Sequence, residues 1–200
     1  MSSAAPDLGR ETLTRAAIIA ATRRLVVDDG LEAVSLRRVG AALGVTAPAL
    51  YAYVKDKRDL MRGVAELEFA RLIVQFLAID DPDPLQRIRR FSRVYIDYGL
   101  ENPELFKTIF LFPPDLSLTE PTGEELPLAT RAFELPLTAI SDAVEAGLFK
   151  PVDPLMAGLT LWTATHGCAT VLLLGFELDA AGREALITSV LDTVIAGLSV

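Results

Sequence analysis

The chain has 200 residues, of which 51% are apolar and 23% charged, and it carries a net charge of −8. This length and apolar content predict a globular protein of one or two domains and exclude a disordered chain. One cysteine and one histidine exclude an internal disulfide framework and a zinc site of the usual Cys/His kind.

The N-terminal segment is predicted to be a flexible arm followed by one helix. Residues 1–13 are small and polar, without the apolar core of an export signal, so we expect a cytoplasmic protein. Thr14 can cap the first helix, and Asp28, Asp29 and Gly30 end it. One face of this helix is apolar, formed by Ala17, Ile18, Ala21 and Leu25.

The stretch from Ser35 to Leu60 has the pattern of a helix-turn-helix. Ser35 can cap a short helix, and Gly44 can end it in the left-handed conformation. Thr46 can cap a second short helix with Pro48 in its first turn. In such a motif the second helix enters the major groove of DNA.

The charge distribution agrees with contact between this N-terminal part and phosphates. Residues 1–60 hold 9 basic and 7 acidic residues, a net charge of +2, whereas the other 140 residues hold 10 and 20, a net charge of −10. Tyrosine hydroxyls and lysines after the second helix can bind phosphate oxygens. These residues are Tyr51, Tyr53, Lys55 and Lys57.

Thr14–Leu67 resembles the DNA-binding domain of the tetracycline-repressor (TetR) family. The residues that carry the resemblance are Gly30, Ser35, Arg37, Val39, Ala42, Leu43, Gly44, Val45, Leu50, Tyr51, Lys57 and Leu60. The resemblance implies a homodimer that binds a pseudo-palindromic operator. It implies DNA contacts from Ser35, Arg37, Thr46, Ala47, Pro48, Ala49, Tyr51, Tyr53, Lys55 and Lys57.

The predicted recognition helix departs from the usual chemistry of base readout. Ala47, Pro48, Ala49 and Ala52 have no side-chain group that can hydrogen-bond a base edge. We therefore expect readout through Arg37 and Thr46, through methyl contacts to thymine and through DNA shape.

The chain after this motif is predicted to be a second helical domain. A long fourth helix runs from Lys57 to about Ile79 and enters its core, and Asp80–Pro84 breaks the chain. Helices follow from Leu85, from Asn102 and over about Leu128–Leu148. Arg87 and Arg90 lie largely off the apolar stripe, which predicts a solvated face. The stretch Pro113–Pro127 is expected to be a mobile loop.

The last two predicted helices are more apolar than one small domain requires. Pro154–Phe176 has no charged residue, but its glycines, threonines and histidine favour a buried soluble helix over a membrane span. Its Trp162, His166 and Gly167 resemble the W…HG signature of a C-terminal subgroup of the same family. With the helix Ala180–Leu198, it predicts a homodimer interface of Thr163, Gly167, Thr170, Val171, Leu174, Leu186, Val190, Leu191 and Val194.

An apolar effector pocket is expected in the second domain, because such a cavity is common in the family that the chain resembles. The aromatic residues are equally typical of a core, and His166 can be either a pocket group or a core residue. Cys168 is interpreted as a small buried hydrophobe. The predicted pocket residues are Phe69, Leu72, Tyr95, Tyr98, Phe106, Phe110, Phe133, Trp162 and His166.

The sequence therefore predicts an all-α protein of about nine helices with a helix-turn-helix domain at residues 14–60 and an effector-binding and dimerisation domain at residues 61–200. No phosphate loop, nucleophile motif or metal cluster is found, so we expect no enzyme, cofactor or metal. The predicted function is a transcriptional regulator that acts as a repressor and that a small, largely apolar effector releases from DNA. The alternatives are an effector-independent DNA-binding dimer and a ligand-binding module without regulation.

Overall fold

A computed structural model describes residues 13–111 and 126–200. Almost all of the predicted arm and most of the predicted Pro113–Pro127 loop lie outside these ranges. The described residues form nine α-helices, which confirms the predicted all-α fold. The helices are α1 (Arg15–Asp29), α2 (Leu36–Ala42), α3 (Ala47–Leu50), α4 (Lys57–Leu77), α5 (Pro84–Glu101), α6 (Pro103–Phe106), α7 (Pro127–Glu145), α8 (Pro154–Leu173) and α9 (Ala180–Leu198).

Side-chain caps begin several helices where the sequence places a short polar residue. Thr14 Oγ1 accepts a hydrogen bond from the backbone N–H of Ala17 at 3.1 Å, and Ser35 Oγ accepts one from Arg38 at 3.3 Å. Asp153 and Asp179 cap α8 and α9 in the same way. Thr46 occupies the N-cap position of α3, but its side chain makes no capping bond, contrary to the prediction.

The chain divides into two compact units, and the boundary lies between Val64 and Ala65, within α4. The predicted boundary after residue 60 falls in the same helix. The first unit is held together by fully buried aliphatic side chains from each of its main helices. They are Ile18, Val26, Val39, Leu50, Leu60 and Val64.

The second unit is built around α5, which contacts α7, α8 and α9. Its apolar stripe joins one large core that includes Ile88, Phe91 and Ile96. The arginines of α5 do more than face solvent, because they pair with acids on neighbouring helices. Arg87 pairs with Asp142 of α7. Two further arginines pair with acids of α9, each at 2.6 Å: Arg89 with Asp192 and Arg93 with Glu184.

No helix among the described residues is long and apolar enough to cross a membrane.

The ends of the long helices differ slightly from the predicted ones. Helix α8 ends at Leu173, because Gly175 takes φ of 78° just beyond it.

Leu50 anchors the short α3 and gives a direct test of this packing. Because its side chain is 0% exposed, Leu50→Ala removes buried methyl groups and leaves a cavity, and we expect the unfolding free energy to fall by about 2–5 kcal/mol. Val27→Ala is the matched control, since Val27 is 44% exposed, and its cost should stay below about 1 kcal/mol. Urea unfolding followed by circular dichroism measures both. Equal costs for the two variants would contradict the assigned packing.

Candidate functional site

The turn between α2 and α3 depends on two glycines. Val45 N–H donates to the Gly40 carbonyl at 2.9 Å. A Cβ at Gly40 would lie 2.8 Å from the Val45 carbonyl oxygen, so a larger residue would push the turn away. Gly44 has φ of 67°, a left-handed conformation that favours glycine. The turn therefore has the tight geometry that the helix-turn-helix prediction requires.

Helix α3 is anchored by one side and leaves its other side open. Leu50 and, just after the helix, Val54 are buried. Thr46, Pro48 and Ala49 are exposed, and Ala47 is half-buried. The Thr46 hydroxyl, which makes no capping bond, is therefore exposed beside the small side chains of α3.

Arg15 and Asp59 hold the segment between α3 and α4. The Arg15 guanidinium donates to the Tyr53 carbonyl at 2.8 Å and pairs with the Asp59 carboxylate at 2.6 Å. The same carboxylate accepts from the Lys55 backbone N–H at 2.9 Å. Hydrogen bonding from Arg15 lowers the pKa of Asp59. These contacts position Tyr53 and Lys55, and sequence reasoning missed them because Arg15 and Asp59 lie 44 residues apart.

The predicted phosphate-binding residues have different environments. Tyr51 is 60% exposed and Tyr53 38% exposed. The Lys57 ammonium donates to the Leu31 carbonyl at 3.1 Å, so in this structure it connects α4 to the turn before α2. A phosphate would have to compete with that carbonyl for the ammonium or share it.

The two neighbouring arginines of α2 also differ. Arg38 pairs with Asp29 at 2.5 Å, whereas Arg37 is exposed and makes no ion pair to the described residues. Ser35, half-buried, uses its hydroxyl as the cap of the same helix. Arg37 is thus the arginine of this pair whose charge is available to an external group.

The second unit contains a cavity of about 270 Å³. Six of the nine predicted pocket residues line it: Phe69, Leu72, Tyr95, Phe110, Phe133 and Trp162. Sequence reasoning missed two further phenylalanines and the small and aliphatic lining residues, because their helical spacing is the same in a solid core. The additional lining residues are Phe76, Ile88, Phe91, Ser92, Ala129, Ala132, Pro136, Leu137, Ile140, Gly158, Leu161 and Thr165.

Tyr98, Phe106 and His166 are not among the described lining residues, which corrects their predicted place in the pocket wall. Tyr98 is buried and its hydroxyl donates to Glu68 at 3.0 Å. Phe106 is fully buried and stacks on the His166 ring, with centroids 5.4 Å apart. Both side chains thus point into core contacts rather than into the cavity.

His166 contacts two residues of the cavity wall, Tyr95 and Trp162. The Tyr95 hydroxyl is 2.9 Å from His166 Nδ1, and the ring centroids of Trp162 and His166 lie 5.3 Å apart. Burial raises the pKa of Tyr95 and lowers the pKa of His166. A protonated tyrosine and a neutral imidazole share one hydrogen bond, whose direction depends on which ring nitrogen carries the proton. The spacing of the W…HG signature places Trp162 and His166 on one face of α8.

The surface predicted to form a dimer is divided between open and buried residues. Leu174 is 70% exposed and Val171 38% exposed, and a Cβ at Gly167 would meet no neighbouring atom within 4 Å. Thr163 is exposed and Thr170 half-buried.

The α9 part of that prediction needs correction. Leu191 is 5% exposed and belongs to the core, so it cannot present a surface to a second copy. Leu186, Val190 and Val194 are half-buried against the same core. The broad apolar arc of α9 is therefore used largely within the chain, where the helix contacts α5 and α8.

The environment of His166, the single histidine, predicts a pH dependence of stability. Because burial lowers its pKa in the folded state, the unfolded chain binds more protons as the pH falls through about 6.5, and the unfolding free energy should decrease there. His166→Gln removes this contribution. Urea unfolding from about pH 7.5 to about pH 5.5 should show the wild type losing stability relative to the variant. A constant difference between them would contradict the assignment.

Comparison with known families matches both units. The family model described as "Bacterial regulatory proteins, tetR family" matches residues 18–64, and the one described as "Tetracyclin repressor-like, C-terminal domain" matches residues 88–194. The tetracycline repressor protein class C of Escherichia coli is 43% identical over 54 residues, 27% of this chain. The matched part is about a quarter of that relative's length.

Solved structures share the fold over almost the whole chain. A protein of unknown function from Rhodococcus sp. RHA1 has a TM-score of 0.81 at 22% identity, covering 98% of this chain and 100% of that one. AibR in complex with isovaleryl coenzyme A and operator DNA has a TM-score of 0.64 at 20% identity, covering 90% and 96%.

The second family model alone spans more than half of the chain, and the first covers the helix-turn-helix. Their family consists of transcription regulators, which confirms the expectation that the chain is not an enzyme. The chain belongs to the tetracycline-repressor (TetR) family of bacterial regulatory proteins.

Proposed function

We propose that the protein is a homodimeric transcriptional repressor of the cytoplasm that binds a pseudo-palindromic operator and leaves it when a small effector enters the cavity of the second unit. The observation that carries the proposal is the helix-turn-helix itself. Its tight turn at Gly40 and its anchor at Leu50 hold α3 while the opposite side stays exposed.

DNA recognition in this proposal combines few base contacts with many backbone contacts. Arg37 can donate two hydrogen bonds to a guanine, and the exposed Thr46 hydroxyl can contact a base edge or a phosphate. Tyr51, Tyr53 and Lys55 are exposed and suit the phosphate backbone. Since Ala47 and Ala49 offer only methyl groups, we expect DNA shape to contribute to specificity.

Dimerisation in this proposal uses the exposed apolar side of α8. Val171 and Leu174 stand out from the surface, and Gly167 leaves room for the close approach of a second helix. Burying such side chains between two copies is favourable. A dimer would place two recognition helices on half-sites about one DNA turn apart, or a multiple of it.

Effector control requires a connection between cavity and DNA-binding unit, and α4 can supply it. Its first half contributes Leu60 and Val64 to the core of the first unit, and its second half contributes Phe69 and Leu72 to the cavity wall. An effector that favours the DNA-free arrangement by about 5 kcal/mol would switch the population almost completely. AibR, whose fold is similar, was crystallised with a ligand and operator DNA together.

Arg37 provides the test of base readout. We expect Arg37→Ala to weaken binding to a duplex recovered by selection from a random pool by about 1–3 kcal/mol, and to lower discrimination against variants of that duplex. Fluorescence anisotropy at fixed salt measures both quantities. Arg131→Ala is the control, because Arg131 is an exposed arginine of α7. Unchanged discrimination in Arg37→Ala would count against its role in base readout.

Leu174 provides the test of the dimer surface. Leu174→Asp should weaken self-association by at least about tenfold, because it places a charge in an apolar interface. Sedimentation at several protein concentrations measures the effect. Leu77→Asp changes a leucine of similar exposure, 62%, outside the proposed interface and should leave association unchanged. Equal behaviour of the two variants would show that this side of α8 does not form the interface.

A further inference from the structure

The polar side chains among the described lining residues belong to one wall of the cavity. The lining residues of α4 and α7 are apolar throughout, from Phe69 on α4 to Ile140 on α7. The lining residues with polar side-chain groups are Ser92 and Tyr95 on α5 and Trp162 and Thr165 on α8. A ligand in this space therefore meets hydrogen-bonding groups along the α5–α8 wall.

One of these four residues already uses its polar group within the chain. The Tyr95 hydroxyl lies 2.9 Å from His166 Nδ1. A ligand group that binds Tyr95 would therefore share this hydroxyl with His166 or displace it.

Ser92 and Thr165 have hydrogen-bonding capacity left. Thr165 Oγ1 lies 2.8 Å from the Leu161 carbonyl and 3.2 Å from Ser92 Oγ. The Thr165 hydroxyl has one proton, which it can donate to only one of these two oxygens. When it donates to the Leu161 carbonyl, the Ser92 hydroxyl donates to Thr165 Oγ1. The Ser92 oxygen can then accept from a ligand hydroxyl, or the Ser92 hydroxyl can rotate and donate to a ligand carbonyl.

No charged side chain is found among the described lining residues. An ionised carboxylate or ammonium buried there without a partner would lose several kcal/mol of hydration. His166, which contacts the wall residue Tyr95, does not supply a positive charge at neutral pH because burial lowers its pKa. The described wall therefore favours an uncharged ligand.

The volume limits the size of that ligand. An apolar cavity of about 150 Å³ engineered in another protein holds one benzene molecule. The cavity here is about 270 Å³, which corresponds to about ten to twelve non-hydrogen atoms on the same scale.

We propose that the cavity takes an uncharged, largely apolar molecule of about ten to twelve non-hydrogen atoms whose one hydroxyl or carbonyl group hydrogen-bonds to Ser92, the neighbour of Thr165. This proposal rests on the proposed function, since it names the class of effector for the same cavity. The proposal excludes a ligand that places a carboxylate or another charged group against this wall.

The experiment compares three probes with the same carbon chain at about pH 7.5: n-nonanol, nonanoate and n-nonylammonium. Trp162 is the single tryptophan of the chain and lines the cavity, so its emission reports binding at this place. We expect nonanol to bind and both ions to bind at least about tenfold more weakly, because of their lost hydration.

Variants of the full chain assign the binding to this wall. Ala132→Phe puts a phenyl ring into the cavity and should abolish binding, with Ala129→Leu as a second blocked form and circular dichroism as the folding check. Ser92→Ala should weaken nonanol binding about fivefold, the value of one hydrogen bond. Ser141→Ala is the matched control, since Ser141 is half-buried on α7 and is not a lining residue.

The outcomes separate this inference from the proposed function. Tighter binding of either ion, or equal nonanol binding by the wild type and a folded blocked form, would overturn the inference. So would the absence of any change in Trp162 emission with all three probes. In each case the selected duplex would still bind if the protein is a DNA-binding regulator, whereas failure of the wild-type protein to bind any duplex would count against the proposed function instead.

Discussion

One hydrogen bond between a buried tyrosine and a half-buried histidine joins α5 and α8 in the second unit. The Tyr95 hydroxyl of α5 lies 2.9 Å from His166 Nδ1 of α8. A buried hydroxyl without a partner is costly, so this contact joins the two helices while satisfying the hydroxyl. Along the same wall the Ser92 hydroxyl keeps hydrogen-bonding capacity, whereas the lining residues of α4 and α7 are apolar.

Charged side chains of the first unit are also held by contacts within the chain. Arg15 and Asp59 use their charges to fix the backbone between α3 and α4, and Lys57 is turned toward the Leu31 carbonyl. The side chains left exposed along α3 are few and small. Recognition of DNA by such a surface would draw more on shape and on the backbone than on a dense set of base contacts.

Local features of the fold could be predicted from sequence, and features that depend on distant residues could not. The caps at Thr14 and Ser35 and the left-handed Gly44 follow from short patterns, and the structure contains them. The pocket wall followed only in part, because an aromatic residue at helical spacing has the same pattern in a core and in a cavity. Only the tertiary contacts show that Phe106 stacks on His166 while Phe110 lines the space.

The α9 helix illustrates the same limit for a surface. Its apolar arc indicated a dimer interface, yet Leu191 is buried within the chain. An apolar arc reports how much surface a helix buries but not whether a neighbouring helix or a second copy covers it. Leu174, named in the same predicted interface, lies just after α8 and is 70% exposed. The sequence pattern did not distinguish it from Leu191.

Selection of binding sites from a random duplex pool, followed by affinity against salt concentration, tests the central claim most directly. A specific regulator predicts recovery of a palindrome bound at least about a thousandfold tighter than a scrambled duplex at the same salt. Recovery of no common sequence, with an affinity that depends only on salt, would contradict the claim, because it is the behaviour of a protein that binds only the phosphate backbone.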